Sequence, residues 1–310
     1  MQTFYDLESV SHLHQELVVT IGVFDGLHIG HRFVIQQVLT EARKLKLPSA
    51  VLAFHPSPLA FLAPERCPPA LTALEKKREI LQQLGVEIAI FVRFDAVLAE
   101  MSPEDFVQNV LLQKLKARAV IVGYDWQFGK GRSGNATVLK SLGEQYQFDV
   151  KIVPATEING LTVHSTRIRE AISEGNLKLA TQLLGRRYSI MGKIVKGEGR
   201  GSQLGYPTAN INALEQMLPP NGVYAIRAKL EAEPIDGVLN MGTRPTFDGV
   251  KFQIESHLFN FDQMIYGKEI EIIFIEKIRD ERTFPNIETL IAQIGKDVES
   301  AKAILNQAVE

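Results

Sequence analysis

One cysteine in 310 residues excludes an intrachain disulfide. That residue, Cys67, sits in a proline-rich stretch with nothing beside it to lower its pKa, so it reads as incidental and not catalytic. An excess of charge of one sign is also lacking. The formal net charge of −2 gives no global signal for nucleic acid or a membrane surface, so neither is expected as a partner. No apolar run is long enough to span a bilayer, and the first residues lack a basic segment followed by an apolar one. Internal repeats and low-complexity tracts are absent. What these absences leave is a soluble globular chain suited to a reducing cytoplasm. Its length exceeds what one core ordinarily accommodates, so two domains are expected.

What is present begins at Leu17. Leu17-Val18-Val19-Thr20-Ile21 are strand formers, the run breaks at Gly22 and Gly26, and His28 and His31 follow. From Arg32 to Leu45 the apolar residues Val34, Ile35, Val38, Leu39, Ala42 and Leu45 recur at helical spacing. The stretch therefore reads as strand, glycine turn, helix start. Such a corner offers free backbone N–H groups and the positive end of a helix dipole, which favours phosphate. Histidines three apart share a helix face, so both can reach one ligand. Taken singly, His28 also reads as a helix cap and His31 as a surface residue. The whole string Gly22-x-Phe24-Asp25-Gly26-x-His28-x-Gly30-His31 is far more specific than either, and it resembles the HIGH signature of nucleotidyltransferases.

Further strands are expected at Ser49–Phe54, 87–93, 119–122 and 150–153, alternating with helices at 73–84, 102–115 and 137–146. Residues 56–69 carry several prolines and no periodicity and read as a loop. Ser102-Pro103 is a good helix start, with Ser as cap and Pro at the first helical position. Alternating strands and helices indicate a parallel sheet, whose ligand site lies beyond the C-terminal strand ends. His28, His55-Pro56 and the loop from Gly123 to Gly134 all follow strand ends, so they should share one rim. That loop holds Tyr124, Trp126 and Phe128, whose faces can stack on a planar heterocycle; the competing reading is a simple strand extension. Ser165, Thr166 and Arg169 open another helix and are well typed as phosphate donors, although a lone Ser-Thr pair is more often a cap. Short helices at 167–173 and 177–184 then close the first domain, and Gly185–Tyr188 reads as a linker.

From Ser189 the pattern changes. Segments 190–195, 224–230, 235–239, 252–258 and 269–278 are short, rich in β-branched residues and separated by turn formers. A long periodic stretch follows only at 287–305. The expected architecture is a Rossmann-like α/β domain over 1–184 and a small antiparallel β-barrel with a C-terminal helix over 185–310. The segment Gly197–Asn210 is glycine-dense and ends in Pro207-Thr208-Ala209-Asn210. Backbone N–H groups of Gly197 and Gly199 can cover phosphates, and Thr208 and Asn210 suit Mg²⁺ and phosphate. Glu255 lies in a strand-like segment where a kinase could use a carboxylate as base; the commoner state of a glutamate is solvent-facing.

Together, the Gly22–His31 string, Val122-Gly123-Tyr124-Asp125-Trp126-x-Phe128-Gly129 and Ser165-Thr166-x-x-Arg169 resemble the FMN adenylyltransferase module of prokaryotic bifunctional riboflavin kinase/FAD synthetases. The second domain resembles the riboflavin kinase module through Pro207–Asn210, Gly222-Val223-Tyr224-Ala225, Asn240–Phe247 and Ile254–His257. The resemblance covers nearly the full length. It implies that Gly22, Phe24, Asp25, Gly26, His28, His31, Ser165, Thr166 and Arg169 handle ATP phosphates. It implies flavin contacts from His55, Pro56, Asp125, Trp126, Phe128, Tyr224 and Arg244, metal and phosphates on Thr208 and Asn210, and the base role for Glu255. Riboflavin, FMN, FAD and ATP would be the small-molecule partners, with Mg²⁺ as cofactor. The chain departs from relatives at Trp126 (often Phe), His164 (often Ser) and Asn260 (often Asp). A flavin-binding regulatory protein that has lost one or both activities is the competing expectation.

Overall fold

Leu17–Gly22 is apolar almost throughout because both of its faces are covered. In the computed structural model, which describes residues 1–197, 199–213, 215–230, 233–246 and 249–308, Leu17, Val19 and Ile21 join one core with Leu52, Ile90, Val120, Val107 and Leu111. Val18 faces the other way, onto Val34, Val38 and Ala42 of the helix Ile29–Leu45. The same helix sends Ile35 and Leu39 against Val51, Ala53, Ala89 and Phe91. A strand buried on both faces reads as a continuous apolar run, which is the signature of a parallel sheet.

The strands before residue 165 are, in chain order, β1 (Gln2–Phe4), β2 (Leu17–Gly22), β3 (Ser49–Phe54), β4 (Ile88–Val92), β5 (Ala117–Gly123), β6 (Gln127–Phe128), β7 (Gly134–Asn135), β8 (Asp149–Val153), β9 (Glu157–Ile158) and β10 (Leu161–Thr162). Six of them form a parallel sheet in the order β1-β4-β3-β2-β5-β8. From β2 the chain builds β3 and β4 on one side, then returns to lay β5 and β8 on the other. The order therefore reverses between β2 and β5. In a twisted parallel sheet, such a reversal opens a crevice at the carboxyl ends of the strands. The histidine string follows β2 and the aromatic glycine loop follows β5.

After residue 188 come β11 (Ser189–Val195), β12 (Ala209–Asn212), β13 (Gly222–Lys229), β14 (Ile235–Thr246), β15 (Gly249–Leu258) and β16 (Glu269–Arg279), followed by the helix Ile287–Gln307. These six close into an antiparallel barrel in the order β11-β12-β15-β14-β13-β16. Alternation along β13 divides its residues between two faces. Tyr224 and Ile226 point into the barrel, whereas Val223 and Ala225 meet Val298, Ala301 and Leu305 of the terminal helix on the outside. The helix is fastened by an ion pair: Arg279 Nε and a terminal guanidinium nitrogen donate to both oxygens of Asp297 at 2.7–3.1 Å, and Gln293 Nε2 donates to the same carboxylate at 2.7 Å.

By packing, residues 1–68 and 74–165 form one unit, and 69–73 and 166–310 form the other. In the second unit, Ala70 pairs with Gln216 and accepts from the Met217 amide at 2.8 Å.

The sequence expectations hold for the fold class and for most of the elements named there, with differences; the short strands β6, β7, β9 and β10 and the helical turn Ala96–Glu100 were not expected. Residues 56–69 are not wholly irregular: Pro58–Leu62 is a helical turn and Pro64–Arg66 a 3₁₀ turn, each begun by a proline at the position where its missing N–H costs nothing. Strand β12 was not expected, because its four residues follow Pro207 and include two asparagines. β14 runs past Leu239 to Thr246. The edge strand β1 and the helix Leu7–Ser11, capped by Asp6, also went unforeseen, being too short to show a period.

Asp297 is 4% exposed, so removing it leaves the Arg279 charge largely buried and unpaired. Asp297→Ala is expected to destabilise the second unit by about 3 kcal/mol, read as a lowered urea midpoint.

Candidate active sites

The turn after β2 is bent by three left-handed residues, Phe24 (φ 48°), Gly26 (φ 86°) and Leu27 (φ 40°). Two of these are not glycine, so the turn carries local strain, which persists where surrounding contacts hold it. One such contact is Lys77. It comes from the helix Leu74–Gln83, is 2% exposed, and donates from Nζ to the Val23 carbonyl at 2.8 Å. Burial pulls its pKa down to about 8, partly opposed by attraction to Asp25.

The turn ends on His28, which is the cap of the helix Ile29–Leu45: its Nδ1 accepts from the His31 amide at 3.3 Å. An accepting Nδ1 carries no proton, so in the neutral ring the proton sits on Nε2. Capping and ligand donation thus use different nitrogens, and the two readings of His28 are compatible. Gly30 leaves the room for this arrangement, since a Cβ there would lie 3.2 Å from His28 Nδ1. The His31 ring stacks on His28 with centroids 3.6 Å apart and meets the edge of Phe24 at 5.2 Å. Burial, then His28, then Lys77 hold the His31 pKa well below its ordinary value, so at neutral pH it is an uncharged imidazole. Its Nδ1 is buried with no hydrogen-bond partner, a costly condition that is common where a ligand completes the bonding.

Ser165 reaches the same turn, donating from Oγ to the Asp25 carbonyl at 2.9 Å. Thr166 and Arg169 are packed with the second unit. There Thr166 is exposed and Arg169 Nε donates to the Pro69 carbonyl at 3.1 Å. His55 and Pro56 follow β3 directly, joined by a cis peptide bond. After β5, Asp125 is exposed, whereas Trp126 stacks on Phe128 at 4.5 Å and both pack on Phe106. Phe128 is buried in the core, so one of its faces is already covered by Trp126.

In the barrel, register builds the second site. Asn210 on β12 pairs with Glu255 on β15, and Glu255 pairs on its other side with Asn240 on β14. Directly opposed residues point to one face, so the three form a row across three strands. Ile254 and Ser256 alternate to the interior and are buried. The glycine-rich segment presses on this row. A Cβ at Gly197 would overlap the Asn210 amide, and one at Gly201 would overlap the Tyr206 carbonyl and approach Thr208 Oγ1. His257 Nδ1 bonds the Pro207 carbonyl at 2.8 Å and fixes the start of β12. Tyr224 corrects an expectation. It is 0% exposed, its hydroxyl donates to the Pro220 carbonyl, and burial raises its pKa strongly. It holds the barrel core and has no surface for a flavin. Glu198, Phe247 and the side chain of Arg244 lie outside the described residues.

Residues 10–167 match the family model described as FAD synthetase, and residues 184–305 the one described as riboflavin kinase. The bifunctional riboflavin kinase/FMN adenylyltransferase of Escherichia coli strain K12 is 37% identical over 304 residues, covering 97% of each chain. That of Haemophilus influenzae is 38% identical, covering 99% of this chain and 100% of its own. The chain belongs to the bifunctional riboflavin kinase/FMN adenylyltransferase family. A crystal structure described as a macrolide-efflux protein from Streptococcus pneumoniae superposes with a TM-score of 0.83 at 30% identity, covering 97% of this chain and 98% of that one. Among the described residues here, no helix is long and apolar enough to cross a membrane. As a family member the protein phosphorylates riboflavin to FMN with ATP and adenylylates FMN to FAD with ATP.

Sequence reasoning missed Lys77 and Asn240. Lys77 left one signal: it stands three and four positions before Ile80 and Leu81 on the buried stripe of its helix. Asn240 stands in the Asn240–Phe247 string, but its place beside Glu255 is a matter of register.

Two outcomes follow. Between pH 8 and 10.5 the folded Lys77 has lost its proton while the unfolded one keeps it. Stability should therefore rise across that window, by up to about 3 kcal/mol. Lys77→Met should remove that part of the slope, read from urea midpoints by fluorescence of Trp126, the only tryptophan. Gly197→Ala should displace Asn210 and lower riboflavin phosphorylation at least tenfold in a two-product assay.

Proposed function

We propose that adenylyl transfer is carried by His28 and His31 and phosphoryl transfer by Thr208, Asn210 and Glu255, with the functional boundary at 184/185. The observation that carries the first assignment is the stacked, buried histidine pair at a helix N-terminus. In the adenylyl reaction an FMN phosphate oxygen attacks the α-phosphorus of ATP and pyrophosphate leaves. Negative charge accumulates on the phosphate oxygens, and two neutral imidazoles with the first-turn amides are donors fixed before the reaction begins. Ser165, Thr166 and Arg169 are assigned to the outer phosphates. Gly22, Phe24, Asp25 and Gly26 shape the corner. His55, Pro56, Asp125, Trp126 and Phe128 are assigned to the flavin side.

In the barrel, Glu255 accepts the proton of the riboflavin 5′-hydroxyl as that oxygen attacks the γ-phosphorus and ADP leaves. The register row supports this assignment, since it sets one carboxylate between two amides beside a glycine cradle. Thr208 and Asn210 provide neutral oxygen donors of the type that hard cations take, and the cradle of Gly197 and Gly201 leaves no space for side chains around them. These residues would hold Mg²⁺, which neutralises phosphate charge when bound. The cysteine usage suits a reducing cytoplasm.

His28→Ala or His31→Ala should lower FAD formation roughly a hundredfold and leave FMN formation near wild type. Glu255→Ala should do the reverse. Chromatography of the two products after incubation with riboflavin and Mg-ATP checks both. Equal loss of both products from one substitution would overturn the assignment of independent sites. A regulatory flavin binder would return riboflavin unchanged from the wild-type incubation.

A further inference from the structure

Three alternate carbonyls of the turn after β2 accept bonds from side chains outside it. Val23 takes Lys77 Nζ at 2.8 Å, Asp25 takes Ser165 Oγ at 2.9 Å and Leu27 takes Arg32 Nε at 3.3 Å. A trans peptide is planar, so the amide that follows each carbonyl points the opposite way. The three bonds therefore set the directions of the Phe24, Gly26 and His28 amides. Phe24, Gly26 and Leu27 are left-handed and bend the same stretch, and successive amides in such a bend make a concavity suited to an anion. Lys77 is the donor that stability does not explain. It is 2% exposed, and an apolar side chain on this buried stripe of its helix would cost less. Because Lys77 lies in the interior, the Val23 carbonyl points that way and the Phe24 amide the other. Asp25 attracts the ammonium, and His31, stacked on His28, feels its charge. The partnerless Nδ1 of His31 marks the same corner as a place where a ligand completes the bonding.

We propose that Lys77 is a positioning residue for adenylyl transfer, which through the Val23 carbonyl aims the Phe24 amide at the phosphate received by His28 and His31. This rests on the assignment of those histidines to that reaction. Lys77 acts through the turn and not on the phosphate itself. Without it, the Val23–Phe24 peptide loses its anchor, and the left-handed Phe24 (φ 48°) can relax toward an ordinary conformation. A donor that must reorient during the reaction stabilises the transition state less than one set in advance. The loss falls on the chemical step, so kcat drops more than ATP binding weakens.

The test uses Lys77→Met in the full-length protein, since methionine keeps the bulk and removes the donor and the charge. FMN adenylylation is assayed with FMN and Mg-ATP, and riboflavin phosphorylation on the same preparation. The kcat of adenylylation should fall about tenfold, with KM for ATP within about threefold of wild type and phosphorylation unchanged. The urea midpoint at neutral pH should stay level or rise, because a buried charge is removed. A merely structural lysine would lower stability and rate together. A pH series across the Lys77 pKa of about 8 gives a second readout. Wild-type adenylylation should fall as pH rises through that value, and Lys77→Met should lack the fall. His31 is already uncharged in this window. A wild-type rate in Lys77→Met, a loss shared by both activities, or the same alkaline profile in both proteins overturns the proposal. His31→Ala separates it from the reading on which it rests. If that variant still forms FAD at the wild-type rate, the histidine assignment fails and the proposal with it. If it is impaired while Lys77→Met is not, the positioning role alone is wrong.

Discussion

The first turn of the helix Ile29–Leu45 presents amides that no carbonyl within the helix can satisfy, and the chemistry of the first unit depends on how they are used. His28 takes one of them on Nδ1, and by doing so fixes its own tautomer. The stacking of His31 on His28 and the edge of Phe24 then hold the second ring. Behind them Lys77 secures the Val23 carbonyl from a different helix. A group that must donate to a phosphate gains most when its position is set in advance and water is kept out. Here a cap, a ring stack and a buried lysine together do that setting.

The burial of Lys77 has a cost in stability, since taking its charge out of water is unfavourable and pulls its pKa down to about 8. A methionine would pack there with less penalty. The lysine makes sense as part of the corner: it attracts Asp25, bonds the turn and helps keep His31 uncharged. Local strain at Phe24 and Leu27 is of the same kind. In both cases a contact that is poor for stability sits beside the residues assigned to the reaction, the pattern expected of functional sites.

The barrel reaches its site by another route. Strand register alone puts Asn210, Glu255 and Asn240 in one row, and two glycines allow the preceding loop to lie against it. A slip of one residue in β15 would turn Glu255 to the interior and bring Ile254 or Ser256 outward. That register is secured by side chains on the interior face, Leu239, Met241 and Ile254, all nearly fully buried.

Much of this was legible from local order. The apolar run at β2, the helical period from Val34 to Leu45, the cap at Ser102 and the spacing of His28 and His31 are local, and backbone physics acts on them locally. The family strings were readable for the same reason. Tyr224 shows the limit. A tyrosine in a strand is equally suited to a ligand or a core, and only barrel closure, which put its ring beside Phe274, decided for the core. β12 was hidden because four residues with two asparagines form a strand only when β11 and β15 flank them. Lys77 lies 54 residues from the Val23 carbonyl it bonds, and Asn240 fifteen from Glu255. The sequence by itself determined which segments are strands and helices and which short strings suit phosphate and hydroxyl chemistry. Tertiary structure alone decided which distant side chains face those strings, because register, helix packing and barrel closure act between segments that no local pattern connects.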